Sequence, residues 1–167
     1  SFLNGSISSL RLGVAMSSAP SPKEFVIASE EAGFKAAPDE EVILEFPAGL
    51  VGFSELRAFR LFEPSGGYPL KFLQSVAAPE ISFACIDVAA IQPQYEVPLG
   101  EEDAAVLALE SPDEALILAL VVIPENPRKM TANLAGPLVI NGRTRIGRQI
   151  VLNTEKYPLR HPIVAEA

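Results

Sequence analysis

The feature that most constrains this chain is a series of short apolar runs set off from one another by turn-forming residues: residues 41–46, 58–63, 70–76, 81–88, 115–123, 137–141 and 145–152. Runs of this length, bounded by Gly, Pro, Asn and Ser, read as β-strands. No alternation of strand with long helix accompanies them, so a doubly wound parallel sheet is not the economical solution. Many short strands bury their apolar faces most simply by closing on themselves. The predicted fold is mainly β: a small closed or pseudo-barrel of short strands with one or two short helices.

The convincing helix is "EEDAAVLALE" (101–110), with acids in its first turn, where the helix dipole favours them. "SPDE" follows, with Ser111 placed to cap and Pro112 at a first helical position, which predicts one more turn. Asn141 and Gly142 separate the last two strand runs, and this dipeptide tolerates the positive φ of a tight hairpin turn. In "FPAGLVGF" (46–53) the glycines read as sites of close backbone packing. Residues 1–33, rich in Ser, Ala and Gly, read as a flexible or weakly helical leader, and residues 34–167 as the barrel domain. Leu3, Ile7, Leu10 and Val14 would form one apolar stripe if the leader were helical, although Gly5 and Gly13 weaken that helix.

Apolar residues make up 49% of the 167 residues, enough for one domain to build a core without staples. One cysteine excludes an internal disulfide framework, and one cysteine with one histidine is too few soft ligands for a zinc site; a carboxylate-only site for a hard cation stays open, but no calcium-loop spacing occurs and no metal ligand is assigned. Cys85 lies in an apolar run and reads as core. His161, between Arg160 and Pro162, has no nucleophile motif to serve, and no glycine-rich phosphate loop occurs. No catalytic residue and no cofactor is assigned. The longest apolar run, 115–123, is far short of the ~20 residues that span a bilayer, and Arg11 interrupts the only stretch with signal-peptide character. A cytoplasmic protein that does not bind membrane is expected.

Charge is unevenly spread. Residues 39–125 hold sixteen acids against Arg57, Arg60 and Lys71, a balance of −13, whereas residues 126–167 hold seven bases against two acids, a balance of +5. The first 38 residues cancel, and the whole chain carries −8. Such a surface repels phosphate and suits basic partners. Arg143, Arg145 and Arg148 lack interleaved aromatics and do not share one strand face, so they read as ion-pair partners of the acidic half and not as a nucleic-acid surface.

Several blocks, in order, carry a resemblance to a known family: "FPAGLVGF", "LKFLQSV", "ISFACIDV", "LESPDEALILALVVIPENP", "MTANLAGPLVING" and "GRQIVLNTEKYPLRHP". From about Phe34 to Ile163 the sequence resembles FliW, the bacterial flagellar assembly factor; Val88 departs from the proline that the family usually carries after "ID". The resemblance implies a β-barrel-like protein without catalysis, a monomer when free, that binds two alternative partners. One is CsrA, a basic RNA-binding translational regulator; the other is flagellin. Flagellin that accumulates would capture the factor and free CsrA to repress flagellin synthesis.

No short motif fixes the contact residues. Asp39, Glu40, Glu41, Glu101, Glu102 and Asp103 are the candidates for a CsrA-facing surface, chosen by charge and expected exposure. Asn133, Arg160 and His161 match recurrent family positions and are expected to make structural polar contacts that tie the C-terminal segment to the barrel. Two rival readings stand beside this one. A flavin-binding barrel enzyme would use the basic strand for a cofactor phosphate, and a chaperone-like binder of exposed flagellin helices would need no link to CsrA.

Overall fold

The run that begins at Ala115 lacks the polar–apolar alternation of a half-buried strand because both of its faces are covered. Leu116 and Leu118 point into one core, and Ala115, Ile117 and Ala119 into another. A strand buried on both sides reads as a continuous apolar stretch, and this one organises the molecule.

The computed structural model describes residues 25–35, 40–64 and 69–163. Among these are β1 (Phe25–Ala28), β2 (Val42–Glu45), β3 (Ala58–Phe62), β4 (Leu70–Ser75), β5 (Ser82–Asp87), β6 (Glu96–Leu99), α1 (Glu101–Leu107), β7 (Ala115–Val122), β8 (Thr131–Ala132), β9 (Leu138–Asn141), β10 (Ile146–Gln149) and β11 (His161–Pro162). The order β7-β5-β4-β3-β2-β10-β9 returns to β7, which closes a barrel of seven strands. Every step is antiparallel except β10 against β2, joined at Ile146 opposite Glu45. Closure removes the sheet edges that would otherwise invite pairing with other chains.

The barrel interior is filled. Leu44, Phe46, Phe59, Leu73, Cys85, Leu118 and Leu138 meet there, and Phe46 and Phe59 pack edge to face at 5.6 Å. Outside β7 and β9 lies a second core built from Ile27, Ile86, Val97, Leu99, Leu107, Ile117 and Val139, covered by the β1–β6 ribbon and α1. The last part of β7 carries β8, which in turn pairs with β11.

All seven strands expected from the apolar runs are present, with ends shifted by a residue or a few. Four strands were not foreseen: β1, β6, β8 and β11. The domain therefore does not begin at Phe34. β1 lies within the stretch assigned to the leader, pairs with β6 from Phe25↔Leu99 to Ala28↔Glu96, and buries Ile27 fully. Residues 1–24, including the Leu3–Val14 stripe, lie outside the described residues.

Other local expectations are corrected as well. α1 stops at Leu107, and Ala108 takes a left-handed conformation (φ 51°) as its C-cap. The Asn141–Gly142 pair does not form a two-residue turn: four residues, Gly142 to Arg145, separate the facing pair Asn141↔Ile146, and the positive φ (65°) belongs to Arg145. Gly142 is needed for space, since a Cβ there would stand 2.0 Å from the ring of Phe34. The close packing expected of both glycines in "FPAGLVGF" is seen at Gly49, where φ is +70° and a Cβ would lie 2.5 Å from the Phe53 carbonyl oxygen, but not at Gly52, where a Cβ would meet open space and the glycine serves its positive φ of 85°. The turn after α1 forms at Pro112–Glu114, but the Ser111 hydroxyl bonds the Asp113 carboxylate and caps no backbone N–H.

Candidate partner-binding surface

The arginines of the β9–β10 region sort the acidic residues into groups. Arg145 pairs with Glu40 at 2.6 Å, donates from Nε to the Gly142 carbonyl at 2.8 Å, and lies 5.5 Å from the centre of the Phe34 ring. Arg148 reaches α1 and holds Asp103 at 2.9 Å and Glu102 at 3.4 Å. Arg143 pairs with Glu114 at 2.8 Å and Glu110 at 3.5 Å, and donates to the Ala108 carbonyl at 3.0 Å. All three arginines thus serve the acidic half, as the charge balance suggested.

The pairing also changes the value of the candidate acids. Glu40, Glu102 and Asp103 gather around one arginine-bearing segment, while Glu41 stands apart, paired with Arg60 on β3. Glu101 is exposed and forms no ion pair among the described residues. Asp39 lies outside the described residues. Among the described residues, Glu40, Glu101, Glu102 and Asp103 against Arg145 and Arg148 sum to −2. The exposed pairs, such as Arg143–Glu110, add about 0–1 kcal/mol each to stability; their larger effect is to fix where the remaining charge sits.

Asn141 is the residue that sequence reasoning undervalued. It is completely buried, and its Nδ2 donates to the carbonyls of Leu107 (2.8 Å) and Ala108 (3.3 Å). Its Oδ1 accepts from the N–H groups of Arg143 (2.8 Å) and Thr144 (3.3 Å). One side chain therefore ends the helix and shapes the β9–β10 loop. The available signal was its place at the polar end of "PLVIN", inside an apolar run and not after it.

Asn133 accepts the Ala135 N–H at 2.9 Å and shapes its own turn. The C-terminal segment is attached mainly by backbone: His161 pairs with Ala132, Ile163 N–H bonds Met130 O at 3.0 Å, and Leu134 N–H bonds Pro158 O at 2.9 Å. The side chains of Arg160 and His161 form no hydrogen bond or ion pair among the described residues. Cys85 is fully buried, and desolvation pushes its thiol up to about 12 despite the neighbouring Lys71 charge, which leaves it without the thiolate a nucleophile needs. No group of three or more metal-ligating side chains occurs among the described residues, and none of their helices is long and apolar enough to cross a membrane.

Fold and surface together define a class: a closed β-barrel whose interior is packed core, so that any partner must be met on the outside. The profile of the FliW protein family matches residues 28–163, and the chain belongs to that family. The flagellar assembly factor FliW of Caldanaerobacter subterraneus subsp. tengcongensis is 40% identical over 129 residues, covering 77% of this chain and 86% of the relative. Its counterpart from Natranaerobius thermophilus is 38% identical over 126 residues, covering 75% and 83%. A crystal structure of the flagellar assembly factor FliW superposes with a TM-score of 0.68 at 27% identity, over 84% of this chain and 98% of that one. The match starts inside β1 and ends just after β11, so it spans the whole barrel.

Proposed function

We propose that this chain is a non-enzymatic flagellar assembly factor of the bacterial cytoplasm that binds CsrA and flagellin as alternative partners and relieves CsrA repression of flagellin synthesis. The observation that carries the reading is family membership across the complete barrel. The net charge of −8 agrees with a basic partner, because opposite fields speed encounter and favour one orientation even where rim charges add little affinity. Glu40 and the acidic first turn of α1, held by Arg145 and Arg148, are the proposed CsrA-facing surface.

A partner switch requires that the two binding free energies be coupled. Isothermal titration of the purified chain with the cognate CsrA, then with flagellin, and then with each in the presence of the other tests both parts. The expected result is CsrA binding whose affinity falls as salt rises, and a weakened CsrA affinity when flagellin is bound. Absence of CsrA binding at low salt would refute the CsrA part. Retained flagellin binding would then leave a chaperone-like role.

A further inference from the structure

The β1–β6 ribbon has an edge that the described chain does not use. Pro98 has no N–H, so Val26↔Pro98 is a non-hydrogen-bonded pair of this antiparallel ladder, and the bonded pairs are Phe25↔Leu99 and Ile27↔Val97. The ladder continues in the same parity with Ser29 N–H donating to Tyr95 O at 2.7 Å. The backbone N–H groups of Val26 and Ala28 consequently point away from β6, and neither residue makes another backbone hydrogen bond among the described residues. Ile27 anchors the ribbon in the outer core, while the Val26 side chain is 43% exposed.

Edge strands are ordinarily defended by lysine, proline, an inward charge or a bulge. The sequence "FVIA" of β1 has none of the three residue-type defences, and its register with β6 runs without a bulge. Instead, acids flank it. Glu30 and Glu31 follow β1 directly, Glu96 faces Ala28 across the ladder, and none of the three forms an ion pair among the described residues. Among the described residues Lys35 is the cation of this stretch, and Lys23 and Glu24 just before β1 cancel, so the balance is −2.

We propose that this edge docks an extended basic segment of a partner protein by strand addition. Backbone bonds to Val26 and Ala28 would supply the attachment, an apolar residue would cover Val26, and lysine or arginine at alternate positions would meet Glu30, Glu31 and Glu96. The inference goes beyond the CsrA reading and does not depend on it.

The test uses the full chain, isotope-labelled for NMR, titrated with a capped peptide of alternating lysine and valine. Saturable binding is expected, with the largest amide shifts and new exchange protection at Val26 and Ala28, and an affinity that falls about tenfold when salt is raised from low to high concentration. A peptide alternating glutamate and valine should not bind. Val26→Pro removes an outward N–H without touching the ladder to β6 and should weaken the basic peptide about fivefold or more, with the thermal midpoint kept. The double change Glu30→Gln, Glu31→Gln should weaken it while leaving the edge intact. Absence of binding, shifts centred elsewhere, or equal affinity of the Val26→Pro protein would overturn the proposal. A concentration-dependent dimer of the unmodified chain that Val26→Pro converts to monomer would overturn it too, since the edge would then serve a second copy.

Discussion

Replacing Asn141 with alanine removes four polar contacts while leaving both strands of its hairpin in place. Two of those contacts are short, Nδ2 to Leu107 O and Arg143 N–H to Oδ1, each at 2.8 Å. Each contributes about 1 kcal/mol net. Leu107 is fully buried, so its carbonyl would be left without a partner at a further cost of about 1–3 kcal/mol. The Ala108 carbonyl keeps Arg143, and the loop N–H groups can turn to water, so little is added there. The sum is a loss of about 3–5 kcal/mol, or roughly 10–15 °C in the thermal midpoint of a domain this size. Urea denaturation read by circular dichroism checks it: the midpoint should fall with an unchanged slope, because the surface exposed on unfolding stays the same. Asn141→Asp keeps the acceptor but sets a carboxylate against two carbonyls, and should cost more at pH 7 than the alanine change. A loss below about 1 kcal/mol for Asn141→Ala would refute the claim that this side chain ties α1 to the β9–β10 loop.

Gly142→Ala places a methyl group 2.0 Å from the Phe34 ring, so it should cost about 1–3 kcal/mol. Most of that should disappear in a Phe34→Ala background, and additive losses in the double-mutant cycle would contradict the steric explanation. Cys85 makes the fold sensitive to alkali. Its folded pKa of about 12 lies above the ordinary thiol value of 9.0, so its contribution is complete below pH 9 and is lost as pH rises towards 12, by about 1.4 kcal/mol per unit. The pH dependence of the urea midpoint above pH 9 should be shallower for Cys85→Val than for the unmodified chain.

The strands legible in the sequence are those that make the barrel wall. β2 alternates between buried and exposed positions, and β7 is apolar throughout because two cores meet on it. β8 and β11 are two residues long, too short for any periodicity to register. β6, "EVPL", opens on a glutamate and contains a proline, both of which argue against a strand until its partner is known. β1 was hidden by the Ser- and Ala-rich stretch before it, and only its pairing with residues about seventy positions later makes it a strand. The site divides in the same way. That Arg143, Arg145 and Arg148 would answer acids followed from the charge balance, but the Arg145–Glu40 pair joins residues 105 positions apart, a proximity that only barrel closure creates.

This pairing determines which charge change can locate a partner on α1. Glu102 and Asp103 both hold Arg148, whose side chain is only 22% exposed. Reversing them would set like charges against a half-buried guanidinium and loosen the helix from β10, so a loss of binding could not be separated from a loss of structure. Among the described residues Glu101 has no cation to abandon. Its reversal costs only the favourable placement of an acid in the first turn, about 0.3–1 kcal/mol. If the proposed face meets CsrA, Glu101→Lys should slow association at low salt about threefold while dissociation stays nearly constant, because a rim charge acts on encounter. The difference should vanish at high salt, where the field is screened within a few ångströms. Stopped-flow association across a salt series measures both quantities on a protein whose thermal midpoint has scarcely moved. An association rate for Glu101→Lys equal to that of the unmodified chain at low salt would move the CsrA-facing surface away from α1.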